Sequence, residues 1–147
     1  MTDAEIMGRI IDAASKNTKE GGRPFAAAVV HGGSIIAEGV NTVHVTHDPS
    51  SHAEIEAIRA ASRFLRSPDL SACRLYVLAV PCLMCATCIV LSKVKKVVYA
   101  VGLVEKDKAL SESVSTQRST VEYCQLDNFA AAGVDVLAAW TKRQTAR

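Results

Sequence analysis

A chain of 147 residues, 49% hydrophobic and 22% charged, has the size and make-up of one compact domain, so residues 1–147 are expected to form a single unit. The net charge of +2, from 17 basic and 15 acidic residues, gives no sign of the clustered basic face that a nucleic-acid partner requires. Three of the five cysteines crowd between positions 82 and 88, unlike a secreted disulfide framework. No signal peptide opens the chain and no segment offers the ~18 apolar residues of a membrane span, so a cytoplasmic placement is expected.

The first predicted element is a helix. Thr2 or Asp3 can cap it, and Ile6, Ile10, Ile11 and Ala14 share one face. Gly21-Gly22 ends it, and Pro24 blocks continuation. PFAAAVVH and SIIAEGV read as two strands joined through Gly32-Gly33, a strong hairpin signal. Residues 41–50 carry the loop formers Asn41, Asp48 and Pro49. A second helix runs from His52 to Leu65, with Ser50 or Ser51 as cap and Glu54 completing a capping box with Ser51. Its inward stripe is expected at Ala53, Ala57, Ala60, Ala61 and Phe64.

ACRLYVLAV is then a strand, CLMCATCIVLS a helix started at Pro81, and KKVVYAVGL another strand. Residues 105–121 carry no clear pattern. Val121 to Ala132 reads as a helix stopped by Gly133, and VDVLAAW as a last strand or the start of a tail helix. Strands alternating with helices, after an opening hairpin, predict a three-layer α/β/α sandwich around a central mixed sheet.

Two short motifs carry the chemistry: His52-Ala53-Glu54 and Pro81-Cys82-Leu83-Met84-Cys85. Thiols three residues apart in the first turn of a helix point to one side, and the helix N-terminus favours their ionised form. Cys82, Cys85 and one imidazole, His52, make a good zinc site with a fourth tetrahedral position left for water. One zinc ion per chain is therefore expected, with water as the nucleophile. Glu54 is displaced from His52 by about 200° around the helix axis, which frees it to carry protons between water and substrate. A structural zinc would want a fourth protein ligand, for which Cys88 is available, but it would give no reason for Glu54.

His-x-Glu followed by Pro-Cys-x-x-Cys is the signature of zinc deaminases. With it, the segments EGGRPFAAAVV, AEGVNTV and HDPSSHAEIEAIRAA make the chain resemble the cytidine deaminase superfamily over roughly residues 20–102. The resemblance is to the branch of guanine deaminases, cytosine deaminases and tRNA adenosine deaminases. It implies hydrolytic deamination of a free nucleobase, guanine first, with substrate contacts at Asn41, Phe25 and Ala53. It also implies a homodimer. Glu112 lies near where guanine deaminases place an acid that contacts the base. Asn41 could instead only shape its turn, and Phe25 could serve the core. Val80 departs from the usual Glu or Ser before Pro-Cys, and past Val101 the likeness fades. Those departures keep cytosine, an aminotriazine or a pterin open as substrate; tRNA adenosine is a third reading, and a non-catalytic zinc scaffold is the contrasting class.

Overall fold

The computed structural model describes residues 1–102 and 120–146. Its architecture follows from the alternation of strand side chains. In β1 (Ala26–His31), Ala26, Ala28 and Val30 face one side of the sheet, and Ala27 and Val29 face the other. Five of its six residues are buried, as a strand covered on both faces requires. The hairpin to β2 (Ser34–Val40) turns on Gly32 and Gly33, both at positive φ (57° and 80°), the conformation that the tight hairpin turn demands.

The sheet order is β2-β1-β3-β4-β5, with β3 at Cys73–Ala79, β4 at Lys96–Val101 and β5 at Glu122–Gln125. β1 is antiparallel to both neighbours, while β3, β4 and β5 run parallel. On one face lie α1 (Asp3–Lys19) and, as α5, the helix Ala130–Thr145; Ile6, Ile10 and Val136 pack there against Tyr76, Leu78 and Val98. The opposite face holds α3 (Ala53–Leu65) and α4 (Leu83–Leu91), whose Ala57, Ile58 and Ile89 pack on Leu75, Val77 and Val97. The mixed-sheet α/β/α sandwich expected from the sequence is therefore the fold.

Helix α1 begins with a full capping box. Thr2 Oγ1 accepts from the Glu5 amide at 3.2 Å, and the Glu5 carboxylate accepts from the Thr2 amide at 2.7 Å. A short helix, α2 (Val43–Thr46), interrupts the loop expected at 41–50. Asp48 brackets the rest of that loop by accepting from the amide and hydroxyl of Ser50.

Three expectations are corrected. The capping box at Ser51 and Glu54 is not made: His52 itself is the N-cap of α3, and Glu54 turns elsewhere. Phe64 is 66% exposed, and Ile55 and Ile58 are buried on α3 instead. The predicted Val121–Ala132 helix is β5, then a 3₁₀ turn at Asp127–Phe129, with α5 running straight through Gly133. Residues 122–125 form a strand because β4 offers them a parallel edge, from Lys96 to Tyr99. Gly133 is a packing residue rather than a stop: a Cβ there would stand 2.5 Å from Val101 Cγ2.

Candidate active site

Strand register gathers the chemistry at one end of the sheet. Ala26 pairs with Val40 and Ala27 with Val77. The start of β1 therefore lies beside the end of β2 and towards the end of β3. Arg23 and Phe25 precede β1, Asn41 follows β2, and Val80 to Cys82 follow β3. Backbone bonds fix these junctions: Asn41 donates to the Phe25 carbonyl at 3.1 Å and Val80 to the Val101 carbonyl at 3.0 Å.

Two helix starts face each other at this end. His52 caps α3 in an extended conformation, and Cys82 does the same for α4, with Cys85 in the first turn. Placing the ligands at caps leaves their side chains free of the helix surface. His52 Nδ1 stands 3.6 Å from Cys82 Sγ and 3.6 Å from Cys85 Sγ. Zinc–sulfur and zinc–nitrogen bonds at a tetrahedral angle give an N···S edge of about 3.6 Å, so the donors are spaced as zinc requires. These three residues are the one such cluster among the described residues, and Cys88 is not part of it.

The two thiols shift in opposite directions. A hydrogen bond from Cys85, aided by the charge of His52, lowers Cys82 to about 5. The same bond, together with burial and the Glu54 carboxylate, pushes Cys85 strongly up. Glu54 is only 8% exposed and accepts from Cys85 Sγ at 3.5 Å. Burial, reinforced by the Cys82 charge, raises its pKa above the usual carboxylate range.

A cavity of about 130 Å³ opens onto this cluster, lined by Arg23, Phe25, Asn41, His52, Glu54, Ala79, Val80 and Cys82. A larger recess of about 330 Å³, between α1 and the hairpin, holds none of the metal-binding cluster. Asn41 is 2% exposed, and its Oδ1 accepts from the Val43 amide at 3.2 Å. Its Nδ2 has no protein partner among the described residues, and Asn41 is one of the residues that line the cavity. Asn41 thus shapes its turn through Oδ1 and is also among the residues that line the cavity.

Ala53 is buried in the core, its carbonyl 2.5 Å from where a Gly39 Cβ would stand, and it is not in the cavity lining. Glu112 lies outside the described residues. Arg23 and Ala79 line the cavity without having been picked out from sequence. Arg23 could have been found from its place in EGGRPF, directly before Phe25; Ala79 carried no signal. Val80 also lines the cavity, so its departure from Glu or Ser makes that wall drier.

A mixed-sheet sandwich with a His-Cys-Cys zinc centre and a buried carboxylate beside it defines the class of zinc-dependent hydrolytic enzymes. Residues 1–101 match the model of the cytidine and deoxycytidylate deaminase zinc-binding region. The chain belongs to this family and is a zinc aminohydrolase.

Among its relatives, the tRNA-specific adenosine deaminase of Aquifex aeolicus is 35% identical over 120 residues, 78% of this chain and 80% of that protein. The guanine deaminase of Bacillus subtilis is 40% identical over 101 residues, 68% of this chain and 65% of that protein. A structure solved with 2,6-diaminopurine superimposes at a TM-score of 0.80 and 26% identity, over 93% of this chain and 80% of that one.

Proposed function

We propose that this chain hydrolyses the exocyclic amino group of a free nucleobase, guanine first, and releases ammonia. The observation that carries the reading is the cavity itself, whose lining combines the buried Glu54 and Asn41 around one small space beside the zinc ligands. Asn41 donates to ring nitrogen or carbonyl acceptors and so orients the base. Phe25 presents an apolar ring to its face. Zinc, when bound by His52, Cys82 and Cys85, supplies an acidified water. Glu54 takes a proton from the attacking water and delivers it to the ring nitrogen, and then carries the second proton to the departing amine. The structure bound to 2,6-diaminopurine, a purine carrying amino groups, supports a base of this type.

The test is an ammonia-release screen over free bases, nucleosides, aminotriazines, pterins and anticodon-loop RNA. Guanine is expected to lead. Glu54→Gln should keep one zinc per chain and lose about 10²–10⁴-fold in rate. A Glu54→Gln enzyme of undiminished rate would remove the mechanism. Adenosine in tRNA is the second reading, favoured by the Aquifex relative's identity and coverage; ammonia from RNA but from no free base would establish it.

The reading includes a homodimer. Phe64 and Leu91, on α3 and α4, are 66% and 75% exposed, apolar area that a second copy would cover. Sedimentation at twice 15.7 kDa is expected, and a single-chain mass would exclude it.

A further inference from the structure

Asn17 belongs to neither motif and touches no metal ligand. It continues the apolar stripe of α1 that Ile6, Ile10 and Ala14 define, yet it brings an amide into that stripe and is 5% exposed. An Nδ2 group carries two hydrogens, and here both are used. It donates to the Arg23 carbonyl at 2.8 Å and to the Asn41 carbonyl at 2.9 Å. Those carbonyls sit on different segments, one entering β1 and one leaving β2. The side chains of both segments line the cavity.

The amide is wedged as well as bonded. The Gly22 backbone amide donates to the Asn17 backbone carbonyl at 2.9 Å. A Cβ on Gly22 would stand 2.5 Å from Asn17 Nδ2 and 2.6 Å from His44 Cε1. Glycine at position 22 therefore lets the chain pass close enough for Arg23 to reach the fork.

We infer that Asn17 is a positioning residue for the reaction: its forked amide sets the separation of the Arg23–Phe25 and Asn41 segments, and so places the Asn41 amide against the substrate. The inference rests on the reading that this cavity takes the base. A purely space-filling residue at this place would be apolar. Asparagine is needed because two converging carbonyls, one buried and one part-buried, take two donors from one atom.

Asn17→Asp keeps the shape, removes both donors and sets carboxylate oxygens against the two carbonyls. Asn17→Ala removes the amide without charge and serves if the aspartate variant does not fold. Three quantities are to be measured: zinc content, amide hydrogen exchange, and kcat and KM. The kinetic substrate is whichever of guanine, adenine and cytosine the wild-type enzyme deaminates fastest.

Zinc should stay at one per chain. KM should rise about tenfold or more while kcat changes by less than about threefold. The Asn41 amide, bonded to Phe25, and the Val43 amide, bonded to Asn41 Oδ1, should exchange faster while α3 and α4 keep their protection. Unchanged KM with unchanged exchange overturns the inference, as does loss of protection spread evenly over α1, α3 and α4. Absence of ammonia from every base with wild-type enzyme would defeat the proposed function instead. Exchange at Asn41 and Val43 then decides the role of Asn17 alone, and unchanged exchange there overturns it.

Discussion

The two sides of the cavity are built on different principles. The metal side is two helix starts, where His52 and Glu54 stand two residues apart and Cys82 and Cys85 three apart. An extended cap followed by the first helical turn sets each pair locally, and one approach of α3 to α4 completes the cluster. The base side has no such motif. Arg23, Phe25 and Asn41 leave two strand ends, and their spacing depends on β1–β2 register and on a side chain from α1. Chemistry that needs fixed ligands can be written in short spacings. Recognition of a particular substrate is distributed through the fold.

The largest effect expected to sharpen this contrast is on metal affinity, and it should leave the base side untouched. Zinc needs both thiols ionised. Cys82 titrates at about 5, but Cys85 is pushed up and keeps its proton when the site is metal-free. Zinc must displace at least that proton, so affinity rises with pH, by about a decade per unit or more from pH 6 to 8. Below the Cys82 value a second proton competes and the fall steepens. Chelator competition across this range measures the slope. A flat profile would show Cys85 already ionised and the opposite shift of the two thiols absent.

The same contrast explains what was legible in the sequence. His52, Cys82, Cys85 and the order of strands and helices could be read because ligand spacing, hairpin glycines and apolar periodicity are local. The end of the chain was misread for a non-local reason. Glu122–Gln125 is a strand only because β4 presents an edge to it, and Gly133 looks like a helix stop until Val101 is seen against it. Ser51 looked like a cap because serine so often is one, but His52 needed that place to aim its ring. Asn17 left a signal, a polar residue on the buried stripe of α1. Its partners 6 and 24 residues away could not be inferred from pattern.

Asn41→Ala tests the base side at the next level of effect. Its Oδ1 bond from the Val43 amide and the donors proposed to meet the base are both removed. Loss of such bonds in a buried site costs about 1–3 kcal/mol, which predicts KM raised by about tenfold to a hundredfold with zinc retained. Steady-state kinetics and metal analysis on one preparation measure both. Loss of zinc in this variant would mean that the two sides are not separable.

The smallest effect comes from a position on neither side. Gly133→Ala gains helix propensity of up to about 1 kcal/mol but drives a methyl into Val101. Overpacking of this kind costs about 1–3 kcal/mol, so the net change is a destabilisation of no more than about 2 kcal/mol. Val101 is not inert with respect to the site, since its carbonyl accepts from the Val80 amide at 3.0 Å, directly before Pro81 and Cys82. A push on β4 is thus felt first by the Val80 wall, not by Asn41. Thermal unfolding should fall by a few degrees while KM stays within about twofold of wild type. A KM change as large as that of Asn41→Ala would show that β4 and α5 also set substrate geometry, and that the base side extends across the sheet.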